Sequence, residues 1–186
     1  MQKIGFFGGC FNPPSIAHME IAKRALSECE LDRIVFVPMG NMYSKIELID
    51  FKFRFEMLKL YCNNNPKIEV SDMQKNQTEK SYAIDTFKYI NNNYKDSKNF
   101  YIMGIDNFMK MKKWKSYDEL MNEYHYIVFK RDNITNIQIN EKVKFIDFEF
   151  DISSSYIRNL IKTNKSVAGL LEKDVELYIK NNGLYR

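Results

Sequence analysis

Short apolar runs recur along the chain at residues 4–7, 34–37, 100–103 and 126–129. Each has the length and continuity of a strand buried on both faces. Residues 67–71 and 143–148 supply two further strand patterns. Between these runs the spacing changes. Ile16, Met19, Ala22, Ala25 and Leu26 repeat with helical period, and Glu20, Lys23, Arg24 and Ser27 fall on the other side. Asp50 is placed to cap a helix reaching Cys62, with Phe51, Phe55, Leu58 and Cys62 on one face. Helices are also expected over 82–94, over 117–122, after Ser153, and over 173–181 with Gly183 as the stop. Strands alternating with helices to the end imply an α/β fold with a mostly parallel sheet. At 186 residues, a single domain over 1–186 is expected.

The chemistry concentrates in residues 4–18, where the first run meets Gly8-Gly9, a Pro13-Pro14 pair and then a helix. The glycines let backbone lie close to a ligand, and Pro14 suits a first helical position. Ser15 and His18, three residues apart, should share a face where free helix N–H groups attract anions. The unit therefore reads as a phosphate site carrying a hydroxyl and an imidazole. It lacks the Gly-Lys-Ser/Thr of a Walker loop and the G-x-G-x-x-G of a dinucleotide fingerprint.

Composition narrows the classes. Apolar content of 45% and charged content of 28% are those of an ordinary globular chain. A net charge of +4 suits an anionic small substrate without calling for nucleic acid. The lysines around Trp114 (Lys110, Lys112, Lys113 and Lys115) form an aromatic-basic stretch that more often marks a solvated face. Cys10, Cys29 and Cys62 contain no C-x-x-C, so neither a zinc ribbon nor a disulfide framework is supported, and Cys10 reads as a small turn residue. With His18 and His125 the only histidines, a His-rich metal cage is excluded. Nowhere do eighteen apolar residues run together, so no membrane partner is expected and the location is read as cytoplasmic.

The string Gly8-Gly-Cys-Phe-Asn-Pro-Pro-Ser-Ile-Ala-His18 resembles the G-G-x-F-(D/N)-P-P-H-x-G-H signature of the nucleotidyltransferase superfamily, in particular the nicotinate-mononucleotide adenylyltransferases. Ile152-Ser-Ser-Ser-Tyr-Ile-Arg158 is similar to that family's I-S-S-T-x-I-R, and Ser81-Tyr-Ala-Ile-Asp-Thr86 to its S-Y-T-x-D-T. Gly104-Ile-Asp106, Phe129-Lys-Arg131, the closing segment 175–185, and the basic positions Lys45 and Arg54 also match, Lys45 without its usual prolines.

The resemblance implies a Rossmann-like nucleotidyltransferase fold and adenylyl transfer from ATP to nicotinate mononucleotide, giving deamido-NAD and pyrophosphate. Amide nucleotide or another phosphorylated acceptor is the alternative. It implies catalytic roles for His18, Ser15, Arg158 and Lys45. ATP would be met by Gly8, Gly9, Phe11, Asp106, Ser153, Ser154, Ser155 and Arg131, and the pyridine nucleotide by Trp114, Tyr82, Ala83 and Arg54. Mg²⁺ would arrive with ATP rather than in a protein cage, and a homo-oligomer is compatible with the family. Two departures stand at the site: Ser15 replaces the first histidine of H-x-G-H, and Ala17 its glycine. A serine cannot carry positive charge toward the leaving pyrophosphate, so a slower enzyme is expected, and a nucleotide-binding protein with weakened catalysis is the alternative from another class.

Overall fold

The computed structural model describes residues 1–42, 47–63, 65–76, 82–130, 141–149 and 152–186. Among the described residues six strands form one parallel sheet: β1 (Gln2–Gly9), β2 (Arg33–Pro38), β3 (Ile68–Val70), β4 (Ser97–Gly104), β5 (His125–Lys130) and β6 (Val143–Asp147). Their order is β3-β2-β1-β4-β5-β6, and every pairing is parallel. The chain order therefore reverses between β1 and β4, the place where open α/β sheets leave a crevice beyond their carboxyl ends.

The helices are α1 (Ile16–Glu28), α2 (Phe51–Cys62), α3 (Ala83–Asn93), α4 (Ile105–Lys110), α5 (Tyr117–Glu123), α6 (Ser154–Lys162) and α7 (Lys173–Asn181), with a 3₁₀ turn at Met111–Lys113. Alternate strand residues feed two cores, as the twofold strand period requires. Phe7, Phe36, Ile102 and Ile127 face α1, α2, α6 and α7. Phe6, Val35, Tyr101, Met103 and Tyr126 face the side that holds Ile84 and Phe87 of α3, Phe108 of α4 and Leu120 of α5. Gly5 has no room for a side chain, since an added Cβ would come within 2.7 Å of Ile34 and Leu31.

The four apolar runs are strands, and α7 falls on the predicted residues. Its end is a Schellman motif: Gly183 has φ +61, its N–H reaches the Lys180 carbonyl, and the Leu184 N–H reaches Ile179. Three expectations change. Pro14 lies outside α1, and Ser15 is the residue that caps it. The buried stripe of α2 is Phe51, Arg54, Met57, Leu58 and Tyr61, so it passes through an arginine and leaves Phe55 half-buried. Residues 105–113 form a helix and a 3₁₀ turn, anchored by Ile105, Phe108 and Met111 among exposed lysines.

Candidate active site

The turn after β1 is shaped by one ring. Phe11 adopts φ +47, a left-handed conformation rare for a non-glycine residue. Its side chain, 2% exposed, packs edge-on against Phe7 and Phe36 at centroid distances of 5.4 and 5.2 Å. The same ring lies over Gly9, where an added Cβ would meet it at 2.9 Å. Gly8 is exposed, and an added Cβ there would meet nothing within 4 Å. Of the three predicted turn residues, Gly8 borders open space, while Gly9 and the Phe11 side chain build the turn itself.

Ser15 and His18 meet, but not as two groups pointing outward. Ser15 is fully buried as the N-cap of α1, and its N–H donates to His18 Nδ1 at 3.0 Å. Its Oγ lies 2.9 Å from the same nitrogen. The arrangement is a capping box with imidazole as the third-residue partner. Because a main-chain N–H can only donate, Nδ1 is the acceptor and the ring proton sits on Nε2. The imidazole is half-buried, flanked by Phe11 at 5.1 Å and Phe7 at 6.0 Å. Those apolar surroundings pull its pKa from 6.5 to about 4, so it is neutral at pH 7. The Ser15 hydroxyl thus lies against the His18 ring. The start of α1 is also less open than expected, since the Ile16 N–H donates to the Leu170 carbonyl.

From the far end of the chain, α6 docks on this turn. Ser154 Oγ donates to the Pro13 carbonyl at 2.8 Å, and Arg158 Nη1 to that of Asn12 at 2.9 Å. Ser153 caps α6 by accepting from the Tyr156 N–H, and Ser155 Oγ accepts from Arg158 Nη2 at 3.4 Å. The three serines therefore divide between capping, docking and supporting the arginine. The rest of the Arg158 fork faces Glu47, which Lys162 also contacts. Neither Glu47 nor Lys162 belongs to a motif, and only the one-turn spacing of Arg158 and Lys162 on α6 could have pointed to the pair.

Arg54, expected at the substrate, is placed inside the fold. It is fully buried, and its guanidinium donates to the carbonyls of Ile49 and Cys10 at 2.9 and 3.0 Å and to Asn41 Oδ1 at 3.4 Å. It ties α2 to the turn through the Cys10 carbonyl, and Asn41 Oδ1 is shared with the Phe51 N–H, which donates to it at 2.7 Å.

Across the sheet's switch point lies a cavity lined mostly by apolar groups, including Val37, Met103, Phe87 and Trp114, with Gly8 at its edge. Ala83 lines it at the start of α3, where main-chain N–H groups lack intrahelical acceptors. Trp114 is half-buried at the end of the 3₁₀ turn, placed to present its ring to the cavity. Tyr82 is exposed, with Lys115 Nζ 4.7 Å from its ring centre. Gln74, Thr86 and Asn107 add polar groups to the wall. Gln74, 7% exposed, accepts from the Gly40 N–H and donates to Thr86 Oγ1, each at 3.0 Å. Asp106 is exposed in the first turn of α4, just beyond β4. Lys45, Ser81 and Arg131 lie outside the described residues. Among the described residues, no group of three His, Cys, Asp or Glu side chains converges on a metal position.

Three comparisons place the chain among known proteins. The cytidylyltransferase-like family model matches residues 6–160. A protein of Caldicellulosiruptor saccharolyticus named "probable nicotinate-nucleotide adenylyltransferase" is 35% identical over all of both chains. The nicotinate-nucleotide adenylyltransferase of Bacillus subtilis is 33% identical, over all of this chain and 99% of its own. Among solved structures, the nicotinic acid mononucleotide adenylyltransferase of Plasmodium falciparum complexed with NaAD superposes with a TM-score of 0.83. It is 20% identical and covers all of this chain and 98% of its own, which shows the shared fold.

Proposed function

The chain belongs to the cytidylyltransferase-like family, among its nicotinate-nucleotide adenylyltransferases, and we propose that it transfers the adenylyl group of ATP to nicotinate mononucleotide. The products are deamido-NAD and pyrophosphate, a step of NAD biosynthesis, carried out by one domain over residues 1–186 in the cytoplasm. The observation that carries this reading is the convergence on one turn of Gly8, His18 and the α6 arginine, with the Trp114 cavity opening beside it.

A phosphate oxygen of the mononucleotide attacks the α-phosphorus of ATP in line, and the bond to the β-phosphate bridging oxygen breaks. No protein nucleophile is needed, so catalysis consists of positioning and charge stabilisation. Gly8 admits the nucleotide close to the main chain. His18 donates its Nε2–H to α-phosphate oxygens as charge builds, and Ser15 holds the ring in that tautomer. Arg158, with Lys45, meets the departing phosphates, and Asp106 accepts from ribose hydroxyls. Mg²⁺ bound to the phosphates and water would lower their negative charge. The pyridine ring enters the apolar cavity against Trp114, its carboxylate toward the N–H groups at Ala83.

The direct test is pyrophosphate release from ATP and Mg²⁺ with nicotinate mononucleotide and nicotinamide mononucleotide in parallel. Preferential turnover of the acid is expected. Measurable ATP binding with turnover of neither would overturn the reading.

A further inference from the structure

Glu47 places a carboxylate where two cations of α6 converge. Its Oε2 accepts from Arg158 Nε at 3.3 Å and Nη2 at 3.2 Å, and its Oε1 accepts from Lys162 Nζ. Arg158 and Lys162 are one helical turn apart, so both side chains leave the same face of α6. Glu47 is also held through its main chain, its carbonyl accepting from Asn12 Nδ2 at 2.8 Å. Asn12 in turn gives its own carbonyl to Arg158 Nη1 and its Oδ1 to the Tyr185 hydroxyl, both at 2.9 Å. The carboxylate therefore sits beside the turn, on the fork that the arginine presents.

Glu47 adopts φ +63, a left-handed conformation that is unfavourable for a non-glycine residue. Its placement is thus maintained by its contacts rather than by local preference. Lys162, and then Arg158, hold its carboxyl below the usual carboxylate range, so it is ionised at neutral pH. Arg158 is nearly buried, with 8% of its side chain exposed, whereas Glu47 and Lys162 keep 42% and 45%. A buried cation is thus held ready while its anionic partner remains open to water and exchangeable. The planar fork that takes a carboxylate takes a phosphate with the same geometry.

We propose that Glu47 is the resident counter-anion of a two-cation phosphate subsite made by Arg158 and Lys162, and that the terminal phosphates of ATP displace it. Lys162 is then a further ATP-positioning residue. The exchange favours polyphosphate chains. A single phosphate must displace Glu47 with little else gained, whereas a chain also reaches the turn. The proposal rests on the adenylyltransferase reading only in naming ATP as the natural ligand.

Inorganic tripolyphosphate and Mg-ATP, titrated by calorimetry into the wild type, E47Q, E47A and K162A, test it. Both Glu47 variants should bind each ligand about fivefold tighter, the size expected for releasing an exposed ion pair. K162A should bind both about fivefold weaker. Unchanged or weaker binding in E47Q and E47A, with melting temperatures like the wild type, would reduce the contact to a surface ion pair and overturn the proposal. If the wild type turns over nicotinate mononucleotide yet the Glu47 variants bind no tighter, the exchange fails and the activity stands. If binding tightens while the mononucleotide is not a substrate, the exchange stands and the activity fails.

Discussion

The main-chain N–H of Ser15 and the Nδ1 of His18 lie 3.0 Å apart, and this contact decides what the histidine can do. It fixes the ring proton on Nε2 and ties the imidazole to the first turn of α1. The serine that replaces the first histidine of the signature thus keeps the second one in place.

That geometry makes a pH prediction. Burial lowers the His18 pKa from 6.5 to about 4. Between those values the unfolded chain binds a proton that the folded chain does not. The stability associated with neutral His18 is therefore complete above about pH 6.5 and falls as pH drops toward 4. Following the imidazole Cε1 proton by NMR, with H125N to assign the two histidines, should show no His18 titration near 6.5. A midpoint there would mean that the ring is solvated and charged at mildly acidic pH.

Gly8 and Gly9 are adjacent but should respond differently to alanine. At Gly9 the new Cβ meets the Phe11 ring at 2.9 Å, and that ring is held by Phe7, Phe36 and His18. G9A should cost about 1–3 kcal/mol of stability, as overpacking does. At Gly8 the Cβ meets nothing within 4 Å, so G8A should melt with the wild type while raising the KM for ATP several-fold. Denaturant unfolding and steady-state kinetics on both variants separate the roles. Equal destabilisation would show that Gly8 serves only the turn.

Arg54 yields a stability prediction where its sequence context suggested binding. R54M retains the apolar stem but strips the carbonyls of Ile49 and Cys10 of their shared donor, while Asn41 Oδ1 keeps the Phe51 N–H. Each acceptor left unsatisfied in a buried site costs about 1–3 kcal/mol. A loss on the order of 3 kcal/mol or more in denaturant unfolding is expected. A variant with unchanged stability and a raised substrate KM would restore the binding role.

These contrasts show how far residue patterns reach. The β1–α1 unit was legible from an apolar run followed by a helical period, and α7 from Gly183 as its stop. The α4 helix and 3₁₀ turn were not, because Ile105, Phe108 and Met111 are three anchors in a lysine-rich stretch too short to show a period. Arg54 matched a motif position, but motif spacing cannot say whether a guanidinium faces ligand or main chain. Glu47 carried no local signal, since its partners lie 111 and 115 residues away.

Trp114 supplies the sharpest test of the acceptor pocket. Its ring lines the cavity with Val37, Phe87 and Met103, on the opposite side of the sheet from His18 and the α1 face. On the proposed reading the two halves of the reaction load through different walls, Gly8 lining the acceptor side. W114A removes apolar and stacking contact from the acceptor alone, a loss of roughly 1–3 kcal/mol by analogy with base–aromatic stacking. The KM for nicotinate mononucleotide should rise about tenfold or more, with the KM for ATP changing less than twofold. W114F should recover part of the difference, because a smaller ring still stacks. If W114A raises both constants equally and melts lower, the tryptophan is a core residue and the pyridine must bind elsewhere.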